Sequence, residues 1–265
     1  MKKMKHFILI LFIINTLSGC SQDYGQDYGS GYKFELFKNT SNWNLARAIE
    51  KDDYNKIENI LKNDSNVKVN LQETVWGQTL LNLAVGNDKP RAVKILLEHV
   101  ADPNIPDSLG YPALHQAAEL INSRKHSAEI IKTLLEHGAD PNLIALTDKV
   151  NNIPGNEYLP LMGAVGNLEC AKLLLNHGAN MYFKDSLDYS IWRIMLSDDL
   201  NNSESILVAK YLIVDKKMAV PNAIFFSIPS GHPRDIYYLL QNFKTHNNSE
   251  KEKAKNEILH YLKSL

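Results

Sequence analysis

The chain has 265 residues, 44% of them hydrophobic, and its 29 basic and 30 acidic side chains leave a net charge of -1. This balance fits an ordinary folded protein and excludes the strongly basic surface that tracks phosphates, so no nucleic-acid partner is expected.

The N-terminus carries targeting features. Lys2, Lys3 and Lys5 precede an apolar run from Phe7 to Leu17, interrupted by Asn15 and Thr16. That run is too short to cross a bilayer, which needs about 20 residues. It ends in Leu17-Ser18-Gly19-Cys20, which resembles the bacterial lipobox. The resemblance implies cleavage before Cys20, a diacylglycerol on its sulfur, and residues 1–19 as a lipoprotein signal peptide. Anchoring by more than one acyl chain is stable where a single chain is marginal. Ser21 rather than aspartate follows the cysteine, so the resemblance favours the outer membrane, facing the periplasm. Residues 20–42, with the tandem Gln22-Asp23-Tyr24-Gly25 and Gln26-Asp27-Tyr28-Gly29, read as a flexible tether.

Beyond it, helical patterning dominates. Leu45–Ile49 and Ile57–Leu61 form a first helix pair, and Asn44, Glu50, Lys51, Asp52 and Asp53 make its outer side polar. Three copies of one phrase follow: Glu98-His99-Val100-Ala101-Asp102-Pro103-Asn104, Glu136-His137-Gly138-Ala139-Asp140-Pro141-Asn142 and Asn176-His177-Gly178-Ala179-Asn180. Each comes after a leucine-rich amphipathic stretch, such as Arg91 to His99 or Ala128 to His137. Gly138 and Gly178 stand where a helix ends in a left-handed residue, and Val100 takes that place in the first copy. A shorter helix precedes each stretch. Thr79 is the expected N-cap of one and Pro112 the expected first-turn residue of another. A few residues are inserted near Asn122 to His126, and a longer connection holds Asn151-Asn152-Ile153-Pro154-Gly155-Asn156.

These phrases resemble the ankyrin repeat. Gly77-Gln78-Thr79-Leu80-Leu81-Asn82-Leu83-Ala84 and Gly110-Tyr111-Pro112-Ala113-Leu114-His115-Gln116-Ala117-Ala118 are similar to its Gly-x-Thr-Pro-Leu-His-x-Ala-Ala. The resemblance implies an all-α ankyrin-repeat α-solenoid over residues 43–248, in about five to six units, closed by a capping helix over 249–265. It also implies that His115 bonds neighbouring loop backbone. Fading copies are expected in Ile191 to Leu196, Ile206 to Val214, Asn222 to Ile228 and Pro233 to Phe243.

Catalytic signatures are absent: no Gly-x-Ser-x-Gly, phosphate loop or His-Glu-x-x-His occurs. His99, His137 and His177 share one place in the repeat, where they satisfy carbonyls at a helix end. Cys170 sits among apolar neighbours and reads as a small hydrophobe. No catalytic residue, metal, cofactor or small-molecule substrate is expected.

What remains is recognition of another protein, with Trp76, Asp107, Leu109, Tyr111, Tyr158, Asp185 and Tyr189 as the turn residues expected to grip it. The resemblance implies an interaction module anchored to the membrane by lipid, in its sharpest form an immunity protein masking a toxic effector. A scaffold or regulator for an envelope enzyme or stress pathway is the alternative. A hydrolytic enzyme using Cys170 or a histidine is a third reading.

Overall fold

The computed structural model describes residues 32–146, 157–184, 204–219, 240 and 249–264. The helices between residues 32 and 184 belong to one compact unit and those from 204 onward to another. Cys20 and the expected helices at Ile191 to Leu196, Asn222 to Ile228 and Pro233 to Phe243 lie outside the described residues, apart from a buried helical Leu240.

The first unit is built of helix pairs: α1 (Trp43–Glu50) with α2 (Tyr54–Asn63), α3 (Leu80–Gly86) with α4 (Pro90–Glu98), α5 (Ala113–Glu119) with α6 (Ser127–Glu136), and α7 (Pro160–Gly163) with α8 (Leu168–Asn176). The outer helices α2, α4, α6 and α8 pack in sequence order, and so do the inner helices α3, α5 and α7. Leucine and isoleucine fill the space between rows, with Leu81, Leu83, Leu96, Leu114, Ile130, Ile131 and Leu134 almost wholly buried. A fully buried side chain of this size contributes about 1.5–3 kcal/mol. No single pair could bury its apolar face alone, so stability is shared between neighbours.

Local chemistry sets the helix ends. Thr79 is the N-cap of α3 and closes a reciprocal capping box with Asn82. Pro112 is itself the N-cap of α5, one residue earlier than its expected place in the first turn. At the other end, Gly138 and Gly178 adopt φ of 85° and 87°, while Val100 holds the same left-handed turn at 60°. The imidazoles of His137 and His177 bond the carbonyls of Thr133 and Leu173 at 2.8 Å, as expected for a helix end. His99 instead reaches Glu58 on the preceding outer helix at 3.0 Å.

Two rows of cross-unit bonds fasten the pairs at opposite ends of the helices. In one, the Asn70, Asn104 and Asn142 side chains accept the backbone N–H of Asp102, Asp140 and Asn180 at 2.8, 2.8 and 2.7 Å. Asn42 does the same for Lys68 at 3.1 Å. In the other row, Asp52 and Asp88, both at a φ of 55°, reach into the next loop. Asp52 binds the Lys89 ammonium at 2.9 Å, and Asp88 takes the His126 N–H and ring at 3.1 and 3.0 Å.

The tether expected over 20–42 is corrected over its last part. Phe34–Phe37 forms a 3-10 turn packed on α1, with Phe34 and Phe37 buried. The Tyr32 ring lies directly on Gly86, and the Asn87 amide donates to the Tyr32 carbonyl at 2.9 Å. Two phenylalanines three residues apart bury enough surface to hold this stretch against the array.

Long connections also depart from pure helix. Ala145–Leu146 pairs antiparallel with Glu157–Tyr158, a two-residue ladder at the base of the connection whose residues 147–156 lie outside the description. In the second unit, α9 (Ser205–Lys210) runs into a π turn at Tyr211–Asp215 and packs on α10 (Ser249–Ser264). Ile206, Val208, Leu212, Ile213 and Ile258 are among its buried residues. No helix among the described residues is long and apolar enough to cross a membrane.

Candidate functional site

Between helix pairs the chain forms narrow fingers, and two of those described are organised by a buried carboxylate. Glu73 accepts the N–H groups of Val75, Trp76 and Gln78 at 2.6, 2.8 and 3.0 Å. Asp107 accepts those of Leu109 and Tyr111 at 2.9 and 3.0 Å. Such bonds hold a turn shut, because an ionised acceptor inside the loop satisfies several backbone donors at once. Desolvation nevertheless raises the Asp107 carboxyl above its ordinary value, against the lowering effect of its N–H donors.

The fingers also touch. Ser108 donates its N–H to the Trp76 carbonyl at 2.7 Å, and the Gln72 amide bridges the carbonyls of Gly77 and Pro106 at 2.7 and 2.9 Å. Gln72 and Pro106, each two places after a ladder asparagine, are therefore side by side. Ile144 and Tyr182 hold that same register after Asn142 and Asn180.

This geometry sorts the expected recognition residues. Asp107 is 7% exposed and works inside its turn, and Tyr111 is 8% exposed, edge-on to the His115 ring. Neither is a free fingertip, which corrects that expectation: the return stroke of the finger faces the neighbouring inner helix. Tyr158 is half-buried, its carbonyl bonded to His115 at 2.9 Å and its hydroxyl close to Gly163. Leu109 is half-buried and Trp76 is exposed, while Asp185 and Tyr189 lie outside the described residues. Three residues that sequence reasoning missed are more open: Val75 at 60%, Ile144 at 41% and Tyr182 at 57% exposed. Position within the period was the signal for Ile144 and Tyr182.

The inner helices add polar groups. His115 is wholly buried, and loss of hydration depresses its imidazole to about 4 despite the Tyr158 carbonyl. Because that carbonyl can only accept, Nε2 carries the proton and Nδ1 is left as an acceptor without a donor. Cys170 is buried in α8 with its N–H on the Asn167 side chain, as its apolar setting implied. Among the described residues no group of histidine, cysteine and carboxylate side chains could hold a metal ion.

Comparison with known proteins agrees with this geometry. The family model described as ankyrin repeats in three copies matches residues 45–145, and that of the single ankyrin repeat matches residues 156–186. A solved structure titled as the crystal structure of EF0377, an ankyrin repeat protein, aligns over 83% of this chain and 96% of its own, with 23% identity and a TM-score of 0.55. No curated protein matches. Ankyrin repeats are protein–protein interaction modules, and no catalytic family is indicated. Residues 45–145 and 156–186 are therefore ankyrin repeats, and the chain has the all-α fold of an ankyrin-repeat solenoid.

Proposed function

We propose that this chain is a lipid-anchored binding protein of the bacterial envelope, attached through Cys20 at the outer membrane and facing the periplasm, which grips a protein partner with its fingers. The observation that carries the binding part is the finger row itself. Val75, Trp76, Ile144 and Tyr182 have exposed, largely apolar side chains, and the link between fingers at Trp76 uses its backbone carbonyl and leaves its side chain exposed. Large side chains left open in this way form the anchors of interfaces. The anchor rests on Lys2, Lys3, Lys5, the apolar run and Leu17-Ser18-Gly19-Cys20. An immunity protein that covers a toxic effector is the form of this function that the resemblance to envelope repeat lipoproteins favours.

Three experiments test the reading. Cys20→Ala is expected to move the protein from the membrane fraction to the soluble one, and an unchanged distribution rejects the anchor. Affinity capture with a soluble form lacking residues 1–20 is expected to retain a partner that Trp76→Ala and Tyr182→Ala release. Retention by both variants rejects the finger row. Protection of cells by co-expression against an effector encoded nearby tests the immunity role, which fails if no such protection is found.

A further inference from the structure

The third repeat departs from its neighbours in a way that stacking does not require. Counting from the N-caps Thr79, Pro112 and Leu159, the seventh residue is Gly86, Glu119 and Gly166, and the fourth is Leu83, Gln116 and Gly163. Two polar side chains thus occupy places where the other repeats have glycine or leucine. They lie three residues apart on α5, which sets them one above the other on a single face.

Their surroundings are rich in acceptors and short of donors. The Gln116 amide donates to Asp107 Oδ2 at a long 3.3 Å, which brings its head against that carboxylate. Gln116 is 3% exposed, yet its Oε1, necessarily beside the same carboxylate, has no hydrogen-bond partner. A buried acceptor without a donor costs about 1–3 kcal/mol. The Tyr111 hydroxyl bonds the Glu119 carboxylate, and the charges of Glu119, Asp107 and Arg124 all act on Tyr32. No basic side chain, Arg124 included, forms an ion pair with Asp107 or Glu119 among the described residues. Glu119 as a residue reaches solvent, while loss of hydration around its carboxyl pushes that group up to about 7, with the negative charge of Asp107 adding to the effect.

We infer that Glu119, Gln116 and Asp107 form a subsite for one arginine side chain of the protein partner, with Glu119 at its mouth and the Gln116 carbonyl oxygen on its floor. A guanidinium offers five N–H donors in a planar fork and a charge that is not lost at neutral pH. It supplies the donor that the Gln116 Oε1 lacks and a positive charge for the Asp107 and Glu119 carboxylates, neither of which has an ion pair among the described residues. The inference rests on the protein-binding reading and names the chemistry of that partner.

Saturation-transfer NMR on the full chain in detergent micelles tests it, with the peptide acetyl-Gly-Arg-Gly-amide as probe and its citrulline counterpart as the neutral isostere. The arginine methylenes are expected to saturate, and the citrulline peptide to bind about tenfold more weakly or worse, as for a lost charge-assisted pair. Glu119→Gln and Gln116→Leu are expected to weaken arginine binding to the same degree, while Glu129→Gln, the same charge change on the exposed side of α6, leaves it unaltered. Equal signals from both peptides, persistence of binding in Glu119→Gln, or an equal loss in Glu129→Gln overturns the site. These peptides carry no apolar anchor for the fingers, so their result can be read whether or not Trp76→Ala and Tyr182→Ala release a captured partner.

Discussion

Asn104 clamps Asp140 across the boundary between repeats: its Oδ1 accepts the Asp140 N–H at 2.8 Å while its Nδ2 donates to the Gly138 carbonyl at 2.9 Å. Net contributions of such bonds are about 0.5–1.5 kcal/mol each. Asn104→Ala is therefore expected to cost about 1–2 kcal/mol in urea unfolding. Asn70→Ala should cost less, because its Nδ2 reaches the Val100 carbonyl at only 3.5 Å. Equal losses in the two variants would show that the clamp does not act as a pair of bonds.

Pro112→Thr is expected to stabilise the fold. In the second repeat both the N–H and the hydroxyl of Thr79 donate to Asn82 Oδ1, at 2.9 and 2.7 Å. Pro112 occupies the same place before His115 but has neither donor, which accounts for the orphaned Nδ1. The two backbones match, with φ of -86° and -69° and ψ of 168° and 166°. Satisfying the nitrogen is worth about 1–3 kcal/mol, and giving up proline costs about 0.4–1 kcal/mol through the unfolded chain. A gain of about 1 kcal/mol in thermal or urea unfolding is the expected balance.

His115 should also make the protein acid-sensitive. Its imidazole titrates at about 4 when folded, against an ordinary 6.5. Between these values the unfolded chain binds the extra proton, so stability is complete above pH 6.5, falls as pH drops towards 4, and levels off below. The full loss is on the order of 3 kcal/mol. His115→Asn, the residue type at position 82, is expected to flatten this limb of the stability curve, and an unchanged slope would assign acid sensitivity to other groups.

Val100 is the clearest local conflict. A β-branched residue in the left-handed region is strained by about 1–2 kcal/mol, against a glycine entropy penalty of about 0.5–1 kcal/mol. Val100→Gly is expected to raise stability by up to about 1 kcal/mol, while Gly138→Val, where the left-handed φ rather than space is limiting, should lower it.

Gly86→Ala sets two effects against each other. Alanine is favoured in a helix by up to about 1 kcal/mol, yet its Cβ would enter the Tyr32 ring. Faster amide exchange at Phe34–Phe37 is expected in the variant. In a Tyr32→Ala background the same substitution should become stabilising.

The repeat was legible because its grammar is local. Glycine after a helix, an asparagine that closes the turn and leucine pairs at fixed spacing each have a physical reason within a few residues. The fingers were less legible, since which side chain of a turn faces a neighbour depends on how two repeats stack. Tyr111 looked like an open aromatic and is instead pressed edge-on to His115. Nothing within a few residues marks Glu73, yet three N–H groups converge on it. Phe34 and Phe37 followed a glycine-rich run whose composition masked their spacing.

The seat of Tyr32 on Gly86 and Asn87 also governs how a pull would travel. Tyr32 is fastened to α3, in the second helix pair, whereas Phe34 and Phe37 hold to the first. Tension arriving from the N-terminal side of Tyr32 would meet that aromatic latch before the first helix pair, so the terminal hairpin is shielded until the latch gives way.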